Sequence, residues 1–360
     1  MKILANSILK LISTILIGFL VILFSGKIIA EPEPHVFIDV YRTDKITPEI
    51  IRNRFSDDLE TVAKIFSGSF ILPAQSGQKE LEKLGHKIKS GLKNMGDFAY
   101  IQGSFTKSAG SKDVYLVLDV VDKKDSNRLA NFLPKPSQNF PDPDNLITLW
   151  QGYLQTGYMK VINEKKPMLS YKKCPAYYCF FGFEAPEFKK YQSIFATLVP
   201  KNKEKLIEIL REDRNAENRA DAAVLLAHIK DGNELIKTLL PAMRDSSAKV
   251  RSNVMAVLGY ALMQFKTLDF PVQNAIDALD YPDAEDRKQA LWLLSAISLQ
   301  PRYAQYIKEH AKGQLITQLK MQKPEIHNSA YQILKQISGD KFGNRDYTAW
   351  ENWLNTTKSS

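Results

Sequence analysis

Cysteine is scarce in this chain: two residues in 360, Cys174 and Cys179, within Cys-Pro-Ala-Tyr-Tyr-Cys. That spacing is not the C-x-x-C of a thiol oxidoreductase, and with no histidine nearby it makes a poor zinc site. Histidine is scarce too. The five, His35, His86, His228, His310 and His327, include no pair at metal-binding spacing such as H-E-x-x-H. No G-x-S-x-G, no P-loop and no glycine-rich phosphate loop after a strand occurs. Long blocks of like charge are missing as well. Three lysines of the net +9 charge, Lys2, Lys10 and Lys27, lie in an acid-free leader, which leaves 46 basic against 40 acidic residues. A balance of +6 without clustering gives no support to a nucleic-acid or anionic-lipid partner. These absences set the expectation of no cofactor, no metal ion and no catalytic residue.

What is present begins with the leader. Met1 to Lys10 carries two lysines, and Leu11 to Phe24 is an uncharged apolar run. Small residues and Ala30-Glu31 follow. This is the pattern of a Sec signal peptide cut after Ala30; the alternative is an uncleaved anchor over residues 11–30. Either reading puts the body outside the cytoplasm, periplasmic, secreted or anchored facing outward, with membrane contact only if the leader stays. No cysteine follows the apolar run, which argues against a bacterial lipoprotein. In an exported chain Cys174 and Cys179 are disulfide partners; the alternative is two reduced, buried thiols.

Residues 31–130 read as an α+β domain. Val36, Ile38 and Val40 alternate as a strand. Thr47-Pro48 opens a helix with its stripe at Ile51, Phe55, Leu59, Val62 and Phe66. A second helix carries Leu81, Leu84, Ile88, Leu92 and Met95. Strands over 98–106 and 114–120 flank a turn at 108–113. The order is β-α-α-β-β. Residues 131–184 are a Pro-, Asn- and Asp-rich linker, a helix from Leu146, and an aromatic, cysteine-bearing junction that reads as core. Asp142 with Asp144, and Asp119 with Asp122, are the best carboxylate pairs, but neither has the further oxygens of a calcium loop.

Residues 185–338 repeat themselves. Arg219, Arg251, Arg287 and His327 each follow a polar turn and open an apolar helix, at intervals of 32, 36 and 40 residues. Three residues on stand Ala222, Val254, Ala290 and Ala330; seven on stand Leu226, Leu258, Leu294 and Leu334. That is one helix face, at the period of a helical-hairpin repeat. The anchors form either an interaction ladder or an inter-repeat tie, with Asp213, Asp245 and Asp280 or Asp283 of the preceding turns as their expected partners. Trp350 and Trp353, in the tail 339–360, stand one helical turn apart and would cover the open end.

These anchors and stripes resemble HEAT-type (armadillo-like) repeats. With the Gly-x-x-Phe-Gly…Trp-x-x-Trp ending and the aromatic segment before the repeats, residues 170–355 resemble an uncharacterised family of exported bacterial HEAT-repeat proteins. The resemblance implies an α-solenoid and carries no active site. The β-α-α-β-β order resembles a POTRA-type module in topology alone; the other reading is an α+β sandwich of no assigned family. The expectation is therefore multidomain α+β plus all-α. The expected function is an exported protein-interaction scaffold with a protein partner. The alternatives are an enzyme with its site at the junction near Asp142 or Glu184, and an envelope-assembly factor that pairs an edge strand with a peptide.

Overall fold

A computed structural model describes residues 34–67, 75–108, 111–130, 132–164, 174–183 and 185–356. The leader with Ala30 and Glu31, and also Glu184, lie outside these residues. From Pro34 onward the chain forms one compact unit, mostly helical with one small sheet.

The sheet has the order β1-β3-β2. Strand β1 (Val36–Tyr41) runs parallel to β3 (Val114–Asp122), with Val36 opposite Val114. Strand β2 (Phe98–Lys107) is antiparallel to β3. All nine residues of β3 are buried, so both faces of the sheet are covered. The period of two sorts them. Val114, Leu116, Leu118 and Val120 pack with Val36 and Ile38 against three helices, α1 (Pro48–Arg54), α2 (Ser56–Phe66) and α3 (Gln75–Leu92). Val117, between them, joins the core of the helical region instead.

One helix was expected over the 51–66 stripe, and two are found. The backbone leaves the helical region at Phe55 (φ −129°, ψ 29°), and Ser56 reopens a helix with Asp57 and Asp58 in its first turn. Acids suit that position because they face the positive end of the helix dipole. The stripe survives the break, since Ile51, Phe55, Leu59, Val62 and Phe66 are all buried.

After β3 come the short α4 (Asn127–Ala130), then α5 (Leu146–Glu164) and α6 (Pro186–Leu198). Helix α5 runs one to two turns beyond its expected end at Gly157. The pairs that follow are α7 (Lys203–Glu212) with α8 (Ala216–Leu225), α9 (Gly232–Leu239) with α10 (Ala248–Gln264), and α11 (Val272–Ala278) with α12 (Ala284–Ser298). Then come α13 (Ala304–His310), and α14 (Lys312–Leu319) with α15 (Pro324–Ser338). Helices α5, α8, α10, α12 and α15 pack in a row, each on the next, and each of the last four also packs on its partner. The anchor-plus-three and anchor-plus-seven residues are fully buried in all four pairs. Helix α15 ends at Gly339 in the left-handed conformation (φ 75°), which glycine adopts without a Cβ clash. Helix α16 (Tyr347–Asn355) then lies against α14.

Candidate interaction surfaces

The four anchors are not exposed. Arg219, Arg251 and Arg287 are at most 3 % accessible, so they cannot form a surface ladder; they tie the helical pairs together. Each guanidinium donates through Nη1 to a carbonyl six residues back in its own turn: Asp213 O, Asp245 O and Tyr281 O, at 2.7–3.0 Å. The other side of each fork reaches forward. Arg219 meets the Asp245 carboxylate with Nε and Nη2 (2.8 and 2.7 Å). Arg251 meets Asp286 in the same manner (3.0 and 2.6 Å). The expected carboxylate partners in the preceding turn are therefore corrected: the preceding turn supplies a carbonyl, and the acid comes from the next unit. The reason is geometric, because the guanidinium is a flat fork whose two edges point in opposite directions. His327 continues the first half of the pattern only, with Nδ1 on Leu319 O at 2.6 Å.

Arg287 has no acid ahead of it in the repeats, and the sheet supplies one. Its Nη2 bonds to Asp119 of β3, whose other oxygen accepts from Ala284 N at the start of α12 (3.1 Å). One unit further, Asp39 of β1 accepts from Gln322 N and Lys323 N (2.9 Å each) at the start of α15. Aromatic rings lie over the forks: Tyr41 on Arg287 (3.6 Å to the ring centre) and Phe132 on Arg251 (3.9 Å). The expected linker is thus a bound strap across the turns, and it adds backbone bonds from Leu133 N to Arg244 O and from Arg214 N to Gln138 O. Burial pushes the Asp119 carboxyl up to about 6 and Asp286 up to about 7, against the arginines that pull both down.

The junction is aromatic core, as expected. Cys174 and Cys179 form a disulfide. Tyr178, Phe181 and Cys179 are buried, and Phe181 N donates to the Tyr153 hydroxyl (3.0 Å). Asp142 is spent on the start of α5, where it accepts from Ile147 N, Thr148 N and the Thr148 hydroxyl. Asp144 accepts from Asn202 (2.7 Å). Both carboxylates of this pair are engaged in hydrogen bonds; Glu184, the other residue named for a junction site, lies outside the described residues. His228 is buried, with Nδ1 on Leu225 O and Nε2 against Gln192 (3.0 and 3.1 Å); burial holds its pKa down at about 4. The atom placed against Nε2 is Gln192 Oε1, and the Gln192 amide nitrogen has no partner among the described residues; turning that amide over gives a neutral ring that donates through Nδ1 the donor it needs at Nε2. Among the described residues no group of three or more His, Cys, Asp or Glu side chains could hold a metal, and no helix is long and apolar enough to cross a membrane.

Asp221, on α8, is buried and accepts from the Gln151 amide (3.1 Å), with the Trp150 indole also on its carboxylate. Burial pushes its pKa up to about 6, while Gln151 pulls it down. Between about pH 4 and 6 the folded chain keeps a proton there that the unfolded chain has lost. Stability from this group therefore falls as pH rises through that window. Asp221→Asn is expected to raise stability at pH 7 by about 1–2 kcal/mol and to flatten the slope between pH 4 and 6. Denaturant melts at pH 4, 5, 6 and 7 check this; an unchanged slope would refute it.

The two sheet edges differ. Val114 N bonds to His35 O, which fixes the phase. Val36 and Ile38 point their carbonyls outward from β1, where Arg52 and Gln322 cover them (3.1 and 3.4 Å). On β2 the same phase leaves Gly103 and Phe105 facing outward. Among the described residues no backbone group pairs with them; Gly103 O takes only the exposed Gln102 amide of its own strand (3.3 Å).

A cleft lies on each side of this edge, and Phe105 lines both. One, of about 220 Å³, sits between β2 and α3 and is lined by Leu81, Gly85, His86, Lys89 and Gly103. The other, of about 190 Å³, sits between the end of β2 and the starts of α12 and α15. It holds Lys323, 5 % accessible, whose ammonium has no hydrogen-bond partner among the described residues. Sequence reasoning missed this lysine, although a signal was present. The N-cap residues of α8, α10 and α12 are Asn215, Ser247 and Asp283, and at the N-cap of α15 stands Lys323. A cation there opposes the helix dipole and cannot cap; Asp39 holds the turn just before the helix, through Gln322 N and Lys323 N. No protein-family model matches this chain, and no curated protein does.

Proposed function

We propose that this chain is an exported protein-interaction scaffold in which a HEAT-type α-solenoid is the frame and the small α+β module takes the partner. The single observation behind the second half is the contrast between edges: β1 is covered by Arg52 and Gln322, and among the described residues no backbone group pairs with β2 at Gly103 and Phe105. An unpaired edge takes up an extended peptide as an added strand, which is also the mode expected of an envelope-assembly factor. The repeat period, the buried anchors and the Trp350 end support the solenoid. The leader and the Cys174–Cys179 disulfide support export.

Hydrogen exchange on the full chain tests the proposal. The Gly103 and Phe105 amides should exchange fast in the free protein and slow at least tenfold when a strand-forming peptide is added. Strong protection in the free chain, or protection confined to the helices, would overturn it.

A further inference from the structure

We propose that the cleft holding Lys323 binds a carboxylate on the segment that adds to β2, with the neighbouring side chain of that segment, an apolar one, entering the cleft beside α3. This rests on the strand-addition reading and names the chemistry of the partner.

The placement follows from strand geometry. Successive side chains of an added strand point to opposite faces of the sheet. The two clefts meet at Phe105, so side chains close together on the incoming chain reach both. The cleft beside α3 offers Leu81, the Phe105 ring and the bare backbone of Gly85 and Gly103, where a Cβ on Gly85 would meet nothing within 4 Å, with Glu82, His86, Lys89 and Gln102 around this floor. That floor suits an aliphatic side chain.

The other cleft is built around an unanswered charge. Lys323 is buried, unpaired and held at a helix start, three conditions that each disfavour an ammonium. Lys288 beside it is already paired with Glu285 at 2.6 Å. Glu285 and Glu325 line the same cleft, and neither makes an ion pair with Lys323 within 4 Å among the described residues. Two more groups in it have no partner: Thr106 Oγ1 and Glu325 Oε2. A glutamate or aspartate side chain answers the ammonium and the hydroxyl, and the N–H groups of the entering backbone can answer Glu325. Burial and Lys288 both lower the Lys323 pKa; a bound carboxylate favours the charged form, and binding weakens at alkaline pH, where that form is lost.

Fluorescence polarisation on the full chain tests this, using three labelled strand-forming peptides: one with Leu-Glu at its centre, one with Leu-Gln, and the Leu-Glu peptide with N-methylated backbone. The Leu-Glu peptide should bind at least tenfold tighter than Leu-Gln, and N-methylation should abolish binding. Lys323→Met keeps the buried stem and removes the charge; it should erase the Glu/Gln difference and leave the Leu-Gln affinity unchanged. Equal affinities for Leu-Glu and Leu-Gln, with N-methylation still blocking both, overturn the carboxylate site and leave strand addition standing. A Glu preference that survives N-methylation overturns strand addition and with it the site as placed here. Binding by none of the peptides overturns both.

Discussion

Arg287→Met lowers the stability of the folded chain by about 3–5 kcal/mol, the usual cost of removing one partner of a buried ion pair. Arg287 is fully buried, and its fork carries three jobs: it holds Tyr281 O and Pro282 O (3.0 and 2.9 Å), it meets Asp119, and it lies under the Tyr41 ring. Methionine fills most of the volume and none of the bonding, which leaves the buried Asp119 carboxyl without its counter-charge, so that it must take up a proton as the chain folds, with Ala284 N still donating to it. Urea denaturation measures the loss. Arg287→Met with Asp119→Asn should recover more than half of it, because the stranded carboxyl and not the missing fork is the larger cost. A double variant no better than the single one would show that the carbonyl bonds dominate. Lys249→Met is the control: its pair with Glu217 is half exposed at both ends, and its loss should stay below about 1 kcal/mol.

Trp350→Ala is the second large effect, about 3–5 kcal/mol for emptying a buried tryptophan site. The indole is fully buried, donates from Nε1 to Gly343 O (2.8 Å) and packs edge-on to Phe342 and Trp353. The loss should be local first. Hydrogen exchange should quicken over α15 and α16 well before β3, since α16 rests on α14 alone among its main contacts. Uniform acceleration across the chain would argue that the end and the sheet unfold as one unit. Trp353→Ala, at a half-buried ring, should cost less than half as much.

Much of the fold was legible because two periodicities speak plainly. The anchor-plus-three and anchor-plus-seven residues are all buried, and the strands at β2 and β3 fall within two residues of their expected ends. What the sequence could not show was direction. An arginine beside an acid says that a pair forms, but whether the fork turns back or forward depends on how far one helical pair is offset from the next. Asp119 and Asp122 read as one carboxylate pair; in the fold Asp119 faces Arg287 and Asp122 faces Lys45 (3.2 Å). The break at Phe55 was invisible because the apolar stripe runs through it. The open edge of β2 was a stated possibility with no residue attached, since which strand is central depends on β1 reaching β3 across three helices and β2. Nothing in Gln-Lys-Pro-Glu marks Lys323 by itself; only comparison with Asn215, Ser247 and Asp283 at the equivalent caps makes it odd.

The two strand aspartates have a consequence for the order of folding. Asp39 and Asp119 reach helix starts 283 and 165 residues further along the chain. Contacts of such long sequence separation form late, because the loop between them must first be closed at an entropic cost. A chain emerging from its amino end makes β1, β2 and β3 early, yet cannot seat them until Ala284 and Lys323 have arrived. Until then the sheet keeps an apolar and acidic face in water, with Tyr41, Val117 and both aspartates uncovered. The growing chain therefore passes through a stage in which this face can stick to its neighbours, and a molecule cut short before α12 would stay in that stage. Slow folding that waits on the carboxyl-terminal helices is the expected consequence of this closure.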